Sequence, residues 1–295
     1  MSLRQQLRGT GVALVTPFRA DFSIDYDAFG KVIEHVINGG VEYVVALGTT
    51  GETPTLSKEE KIALANFTYE KVAGRVPVVV GIGGNNTAEL VEELKSFPLD
   101  KAVAVLSASP YYSKPSQEGL FQHYKALAQA SPKPLLLYNV PGRTGRNLNA
   151  STTVRLAREV GNIAGIKEAS GDMAQVMEIL RDKPEDFLVV SGDDALTLPQ
   201  IASGMEGIIS VAANSFPRLF TDMVRLCLKG DFKAAKTLND KLIQGYELLF
   251  AENNPAGVKA AMSELKLIGN YLRLPVVPVS EGLQQKIKDY VKSLK

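Results

Sequence analysis

Cysteine, histidine and net charge are all scarce in this sequence, and each scarcity removes a class of function. The only cysteine, Cys227, lies in the apolar run Met223, Val224, Leu226, Leu228, so no internal disulfide can form and the thiol reads as helix core. The two histidines, His35 and His123, sit on separate helical patterns with no Cys, His or carboxylate cluster at metal-ligand spacing, which argues against zinc. Thirty-three basic against 32 acidic side chains leave a formal charge of +1, spread along the chain. That balance offers no electrostatic footprint for a nucleic acid or an anionic membrane, and the partners expected are small molecules and other protein chains. No apolar stretch approaches the roughly 18 residues of a membrane span, and the basic segment from Met1 to Thr10 has no apolar run behind it. These features predict a soluble cytoplasmic protein. Gly81-Ile82-Gly83-Gly84 lacks a phosphate-loop lysine and reads as a tight strand exit, and neither Ser170-Gly171-Asp172 nor Ser191-Gly192-Asp193 has an assignable histidine.

What the sequence does contain is 295 residues, 45% of them hydrophobic, enough to bury a large core. Eight short apolar runs recur: 12–15, 44–47, 78–82, 103–106, 135–138, 164–166, 188–190 and 208–211. They read as buried strands. Helical spacing fills the intervals. Asp25 opens a pattern through Phe29, Val32, Ile33 and Val36 that closes at Gly39-Gly40, and Ser57 with Glu60 forms a capping box for the next. Strict strand–helix alternation implies parallel pairing, since each parallel connection needs a crossover of a dozen residues or more. Eight such units predict a (β/α)8 TIM barrel rather than an open dinucleotide-binding sheet, because the first strand runs into Thr16-Pro17-Phe18 and not a G-x-G-x-x-G turn. The pattern from Leu219 to Lys295 is helical only, broken at Gly230, Asn253-Asn254-Pro255 and Leu274-Pro275. We therefore expect a catalytic barrel over residues 1–225 and a C-terminal helical region over 226–295.

Barrels of this class place their active sites at the C-terminal ends of the strands. There the sequence sets Thr16, Gly48 to Glu52, Tyr111-Tyr112, Tyr138-Asn139, Lys167-Glu168, Gly192 to Asp194 and Ser210 to Asn214. Lys167 is the most informative, because Ile-Lys-Glu continues a strand that should still be lined by core. Alternation points its ammonium either into the barrel or into the helix layer. It is a lysine snorkelling to the barrel rim, a partner of Glu168, or a Schiff-base nucleophile, desolvation favouring the neutral amine. Tyr138 is either an amphipathic core tyrosine or a phenol reaching a ligand. Arg143, after Pro141-Gly142, is either solvated or a carboxylate clamp. Thr49, Thr50 and Gly51 offer hydroxyls and close N–H groups suited to a small carboxylate.

Four segments, taken together and in order, closely resemble the dihydrodipicolinate synthase family of pyruvate-dependent aldolases: Gly48-Thr49-Thr50-Gly51-Glu52, Ser109 to Pro115, Tyr138 to Gly145 and Gly165 to Asp172. The resemblance spans essentially the whole chain. It implies a lyase in which Lys167 forms an imine with pyruvate and no separate cofactor or metal is needed. The derived enamine would attack aspartate 4-semialdehyde, the committed step toward diaminopimelate and lysine. Tyr138, Thr49 and Tyr112 match the family's proton relay, Thr50 the pyruvate-carboxylate binder, Arg143 the clamp for the semialdehyde carboxylate, and Gly192 and Ile209 pocket-lining positions. Tyr112 matches a tyrosine donated across a subunit interface, so the resemblance also implies a homo-oligomer, a dimer of dimers. N-acetylneuraminate lyases and 2-keto-3-deoxy sugar acid aldolases share the lysine and tyrosine but typically lack the arginine, and a pyruvate-binding protein without turnover could lose the relay. One departure stands out. Where some family members place two histidines at an inter-subunit lysine-inhibition site, this sequence has Lys58 and Lys61, while Asn85, Glu89 and Tyr111 still match, so weak feedback by lysine is expected.

Overall fold

A computed structural model describes residues 2–294. Eight parallel strands close into a barrel in chain order. They are β1 (Gly9–Ala13), β2 (Tyr43–Ala46), β3 (Val78–Gly81), β4 (Ala104–Ala108), β5 (Leu135–Asn139), β6 (Ile163–Glu168), β7 (Leu188–Ser191) and β8 (Gly207–Ser210). The predicted TIM barrel is present, and each of the eight apolar runs overlaps a strand. Strands covered on both faces need no polar alternation, which is why β3 reads Val-Val-Val-Gly and β5 Leu-Leu-Leu-Tyr-Asn.

Two apolar clusters result. The inner one fills the barrel with Tyr43, Val45, Val79, Leu106, Leu136, Tyr138, Val190 and Ile209, and Leu7, at the end of the helix Leu3–Gln6, joins it. The outer one joins the strands' other faces to the helices and continues through the C-terminal region to Val291. The first strand lies earlier than its apolar run suggests, at 9–13 rather than 12–15. Gly9 and Gly11 carry no apolar signal because their missing side chains are structural: a Cβ on Gly11 would stand 2.2 Å from the Tyr43 ring, which occupies that space. The Tyr43 hydroxyl reaches past β1 to donate to Ile208 O on β8 at 3.2 Å.

The caps expected from sequence are in place. Asp25 accepts the Ala28 N–H at the head of the helix Tyr26–Asn38, and Ser57 and Glu60 form a reciprocal capping box on the helix Lys58–Val72. At the barrel's end the helix Pro217–Leu228 runs past residue 225, and Cys227 is buried within it, its thiol 3.7 Å from Met223 Sδ. Three further helices follow, Phe232–Phe250, Ala256–Glu264 and Glu281–Ser293. The segment between the last two, 265–280, is a non-helical strap, where the sequence pattern suggested helix. Lys295 lies outside the described residues. No helix among the described residues is long and apolar enough to cross a membrane.

Candidate active site

Register decides which way Lys167 points. On neighbouring strands Tyr138 of β5 pairs with Lys167 of β6, which pairs in turn with Val190 of β7. Paired residues share a face, and Tyr138 and Val190 belong to the inner cluster, so Lys167 projects into the barrel. It is 5% exposed, and its ammonium lies 4.3 Å from the centroid of the Tyr138 ring. A lysine in that position gives up most of its hydration for one aromatic face. Gly192 supplies the room: a Cβ there would stand 2.8 Å from Lys167 Cε and 3.1 Å from Cγ. Ile209, on β8, lines the same interior.

Glu168 alternates to the other face and is no partner of Lys167. Its buried carboxylate accepts from Asn139 Nδ2 at 2.9 Å, Gln175 Nε2 at 3.0 Å and the Ser170 N–H at 2.7 Å. Asn139 Oδ1 in turn accepts the Leu148 N–H at 2.9 Å. This network fastens the upper ends of β5 and β6 together, and with them the residues preceding Asn139 and Glu168, namely Tyr138 and Lys167.

After β2 the backbone turns sharply. Leu47 and Glu52 both take left-handed conformations, at φ 58° and 54°, on either side of a single 3-10 turn, Thr49–Gly51. Such φ values are uncommon outside glycine and persist where the surroundings impose them. Here the surroundings are explicit. Thr53 Oγ1 donates to Gly48 O at 2.9 Å, and Thr16 Oγ1, from the β1 end, donates to Gly51 O at 2.7 Å. Thr50 is buried, and its hydroxyl oxygen accepts from Asn254 Nδ2 at 3.2 Å. The carbonyl of Asn254 accepts from Arg143 Nη2 at 3.2 Å. Asn254 thus touches both residues singled out as carboxylate binders. The sequence marked it only as a helix break, and an Asn before Pro gives no other signal.

Tyr112 stands apart. It is 91% exposed at φ 66°, on a loop where Lys114 is also left-handed, at φ 48°. Within one chain it does not join Lys167 and Tyr138. Beyond the Asp193 turn, burial raises the Asp194 carboxyl to about 6, against hydrogen bonds from the Val211 and Ala212 N–H groups that favour its charged form. It joins the β7 exit to that of β8. Asn214 then connects β8 to β1, accepting the Val15 N–H and donating to Ala13 O.

The family model of the dihydrodipicolinate synthetase family matches residues 6–294. A 4-hydroxy-tetrahydrodipicolinate synthase from Parabacteroides distasonis is 48% identical over 288 residues, covering 98% of this chain and 97% of the relative. One from Flavobacterium psychrophilum is 49% identical over 290 residues, covering 98% and 99%. Among solved structures, the chloride-inhibited dihydrodipicolinate synthase of Acinetobacter baumannii, complexed with pyruvate, superposes with a TM-score of 0.94 at 40% identity, covering 97% of this chain and 98% of that one. With that coverage and identity, the chain belongs to the dihydrodipicolinate synthetase family.

Proposed function

We propose that this protein is a 4-hydroxy-tetrahydrodipicolinate synthase, a lyase that condenses pyruvate with L-aspartate 4-semialdehyde. The observation that carries the reading is the inward, nearly dehydrated Lys167 stacked on Tyr138. The Lys167 amine attacks the keto carbon of pyruvate and water leaves, giving an imine on Lys167. Tyr138 acts as general acid and base, removing a methyl proton to form the enamine and protonating the aldehyde oxygen when the enamine carbon attacks it. The amino group of the semialdehyde then closes the ring onto the imine carbon and displaces the lysine. The imine makes a separate cofactor unnecessary, and no metal takes part.

Thr49 and Tyr112 complete the proton relay, Thr50 binds the pyruvate carboxylate, Arg143 binds the semialdehyde carboxylate, and Gly192 and Ile209 shape the pocket. Because Tyr112 projects away from its own barrel, the relay is completed by a second copy, and the working form is a homo-oligomer built from tight dimers. We place the reaction in the cytoplasm, at the first committed step of diaminopimelate and lysine biosynthesis.

Steady-state turnover separates this reading from an aldolase of sugar acids. Pyruvate plus aspartate 4-semialdehyde should be condensed efficiently, while N-acetylneuraminate and 2-keto-3-deoxygluconate are cleaved poorly, since Arg143 serves a carboxylate that a polyol lacks. Faster cleavage of either sugar acid contradicts the assignment.

A cleft of about 560 Å³ is lined by Lys58, Lys61, Glu89, Glu92 and Glu93 among others, and the first three match positions of the lysine-inhibition site of some family members. Lys58 and Lys61 repel the ammonium of a lysine ligand more strongly than the neutral imidazoles that those family members place there. Initial rates in millimolar lysine should therefore match those without it, and strong inhibition refutes this expectation.

A further inference from the structure

Glu52 and Lys259 form an ion pair sealed from solvent at the point where the C-terminal region meets the turn that carries Thr49 and Thr50. Neither side chain is measurably wet, with side-chain exposures of 1% and 0%. The Lys259 ammonium donates to Glu52 Oε1 and, at 2.9 Å, to Tyr271 O, and it lies 4.2 Å from the centroid of the Phe18 ring. The second carboxylate oxygen of Glu52 accepts the N–H of Arg273 at 3.0 Å. Burial pushes the ammonium of Lys259 below its usual range, and Glu52 opposes that shift by favouring the charged form.

A buried ion pair is a poor device for stability alone. Desolvation offsets much of the attraction, and an apolar pair of similar volume often serves as well. What it does supply is direction, because both charges must stay at fixed points to remain solvated by each other. Glu52 is where direction matters. Its N–H closes the 3-10 turn on Thr49 O at 3.1 Å, its own φ is left-handed, and any swing of its backbone moves Thr49 and Thr50. Asn254, on the same C-terminal region, independently holds the Thr50 hydroxyl.

We propose that Lys259 is a positioning residue, acting through its ion pair with Glu52 to hold the Thr49–Gly51 turn where Thr50 meets the keto-acid carboxylate. The proposal rests on the Schiff-base reading above. It assigns the C-terminal region a part in pyruvate binding although its two residues here need not touch substrate. Arg143 is held by the Asn254 backbone instead, so semialdehyde binding should be insensitive to the pair.

The test uses the full chain, with Lys259→Met, the double variant Glu52→Gln plus Lys259→Met, and Lys236→Ala as a control in an exposed helical ion pair with Asp240. Lys259→Met leaves a buried carboxylate unpaired and risks unfolding, whereas the double variant removes both charges at nearly constant volume. In the folded double variant, KM for pyruvate should rise about tenfold and kcat should fall severalfold, with KM for the semialdehyde within about twofold of the unaltered enzyme. A purely structural pair would lower the melting temperature and leave both KM values alone. An unchanged pyruvate KM in the folded double variant overturns the positioning role while the functional reading stands. Absence of turnover in the unaltered chain overturns the functional reading and the positioning role together.

Discussion

Gly192 owes its importance to what lies beside it. Its backbone conformation would accept alanine, so the restriction is one of space: an added Cβ would stand 2.6 Å from Ala169 Cβ and 2.8 Å from Lys167 Cε. Gly192→Ala should therefore force the lysine stem into another rotamer at an overpacking cost of about 1–3 kcal/mol, and lower kcat by roughly a hundredfold or more in a chain that still folds. Circular dichroism together with kcat checks this, and full activity in the folded variant contradicts it. At this scale, the sequence made Lys167 conspicuous but left its direction open, because alternation alone does not say which face of β6 is inside. Pairing with Tyr138 and Val190 resolves it. The contacts of Asn254 and Lys259 were not legible, since their partners Thr50 and Glu52 are 204 and 207 residues away along the chain.

Secondary-structure elements were legible in proportion to how local their causes are. The caps at Asp25 and Ser57 depend on residues three positions apart, and both were visible in sequence. The start of β1 depends on Tyr43 filling space above Gly11, which no local pattern encodes. The helix Gln117–Ala130 carries a second non-local feature, His123, whose Nδ1 is 2.8 Å from Thr87 Oγ1 across to the helix Thr87–Ser96. Burial lowers the pKa of His123 to about 4, because the interior disfavours imidazolium. An unfolded chain takes up this proton near 6.5 and the folded one resists until about 4. The fold therefore keeps the full contribution above pH 6.5 and loses up to about 3 kcal/mol as the pH falls to about 4. Urea midpoints of the unaltered chain and of His123→Gln, taken at pH 7 and pH 4.5, report the difference. The advantage of histidine over glutamine should shrink at the lower pH, and an equal difference at both values contradicts the argument.

Across the whole molecule, the barrel buries Lys167 and the C-terminal region contacts the turn after β2 through Asn254, Lys259 and Arg273. The barrel was readable because eight buried parallel strands leave eight apolar runs. The strap over 265–280 was not, because it is held by side chains from distant parts of the chain. Arg273 makes a bidentate pair with Glu60 at 2.6 and 2.7 Å and donates to Phe22 O and Thr55 O. Tyr112, a proposed relay member, is exposed at a left-handed φ on a loop outside the barrel interior. None of this matters to catalysis unless the buried amine reacts. The most direct test is borohydride reduction in the presence of pyruvate, followed by intact-mass measurement and peptide mapping. The account predicts one reduced pyruvate adduct per chain, located on Lys167 and absent from Lys167→Arg. An unmodified Lys167, or an adduct on a different lysine, would contradict it.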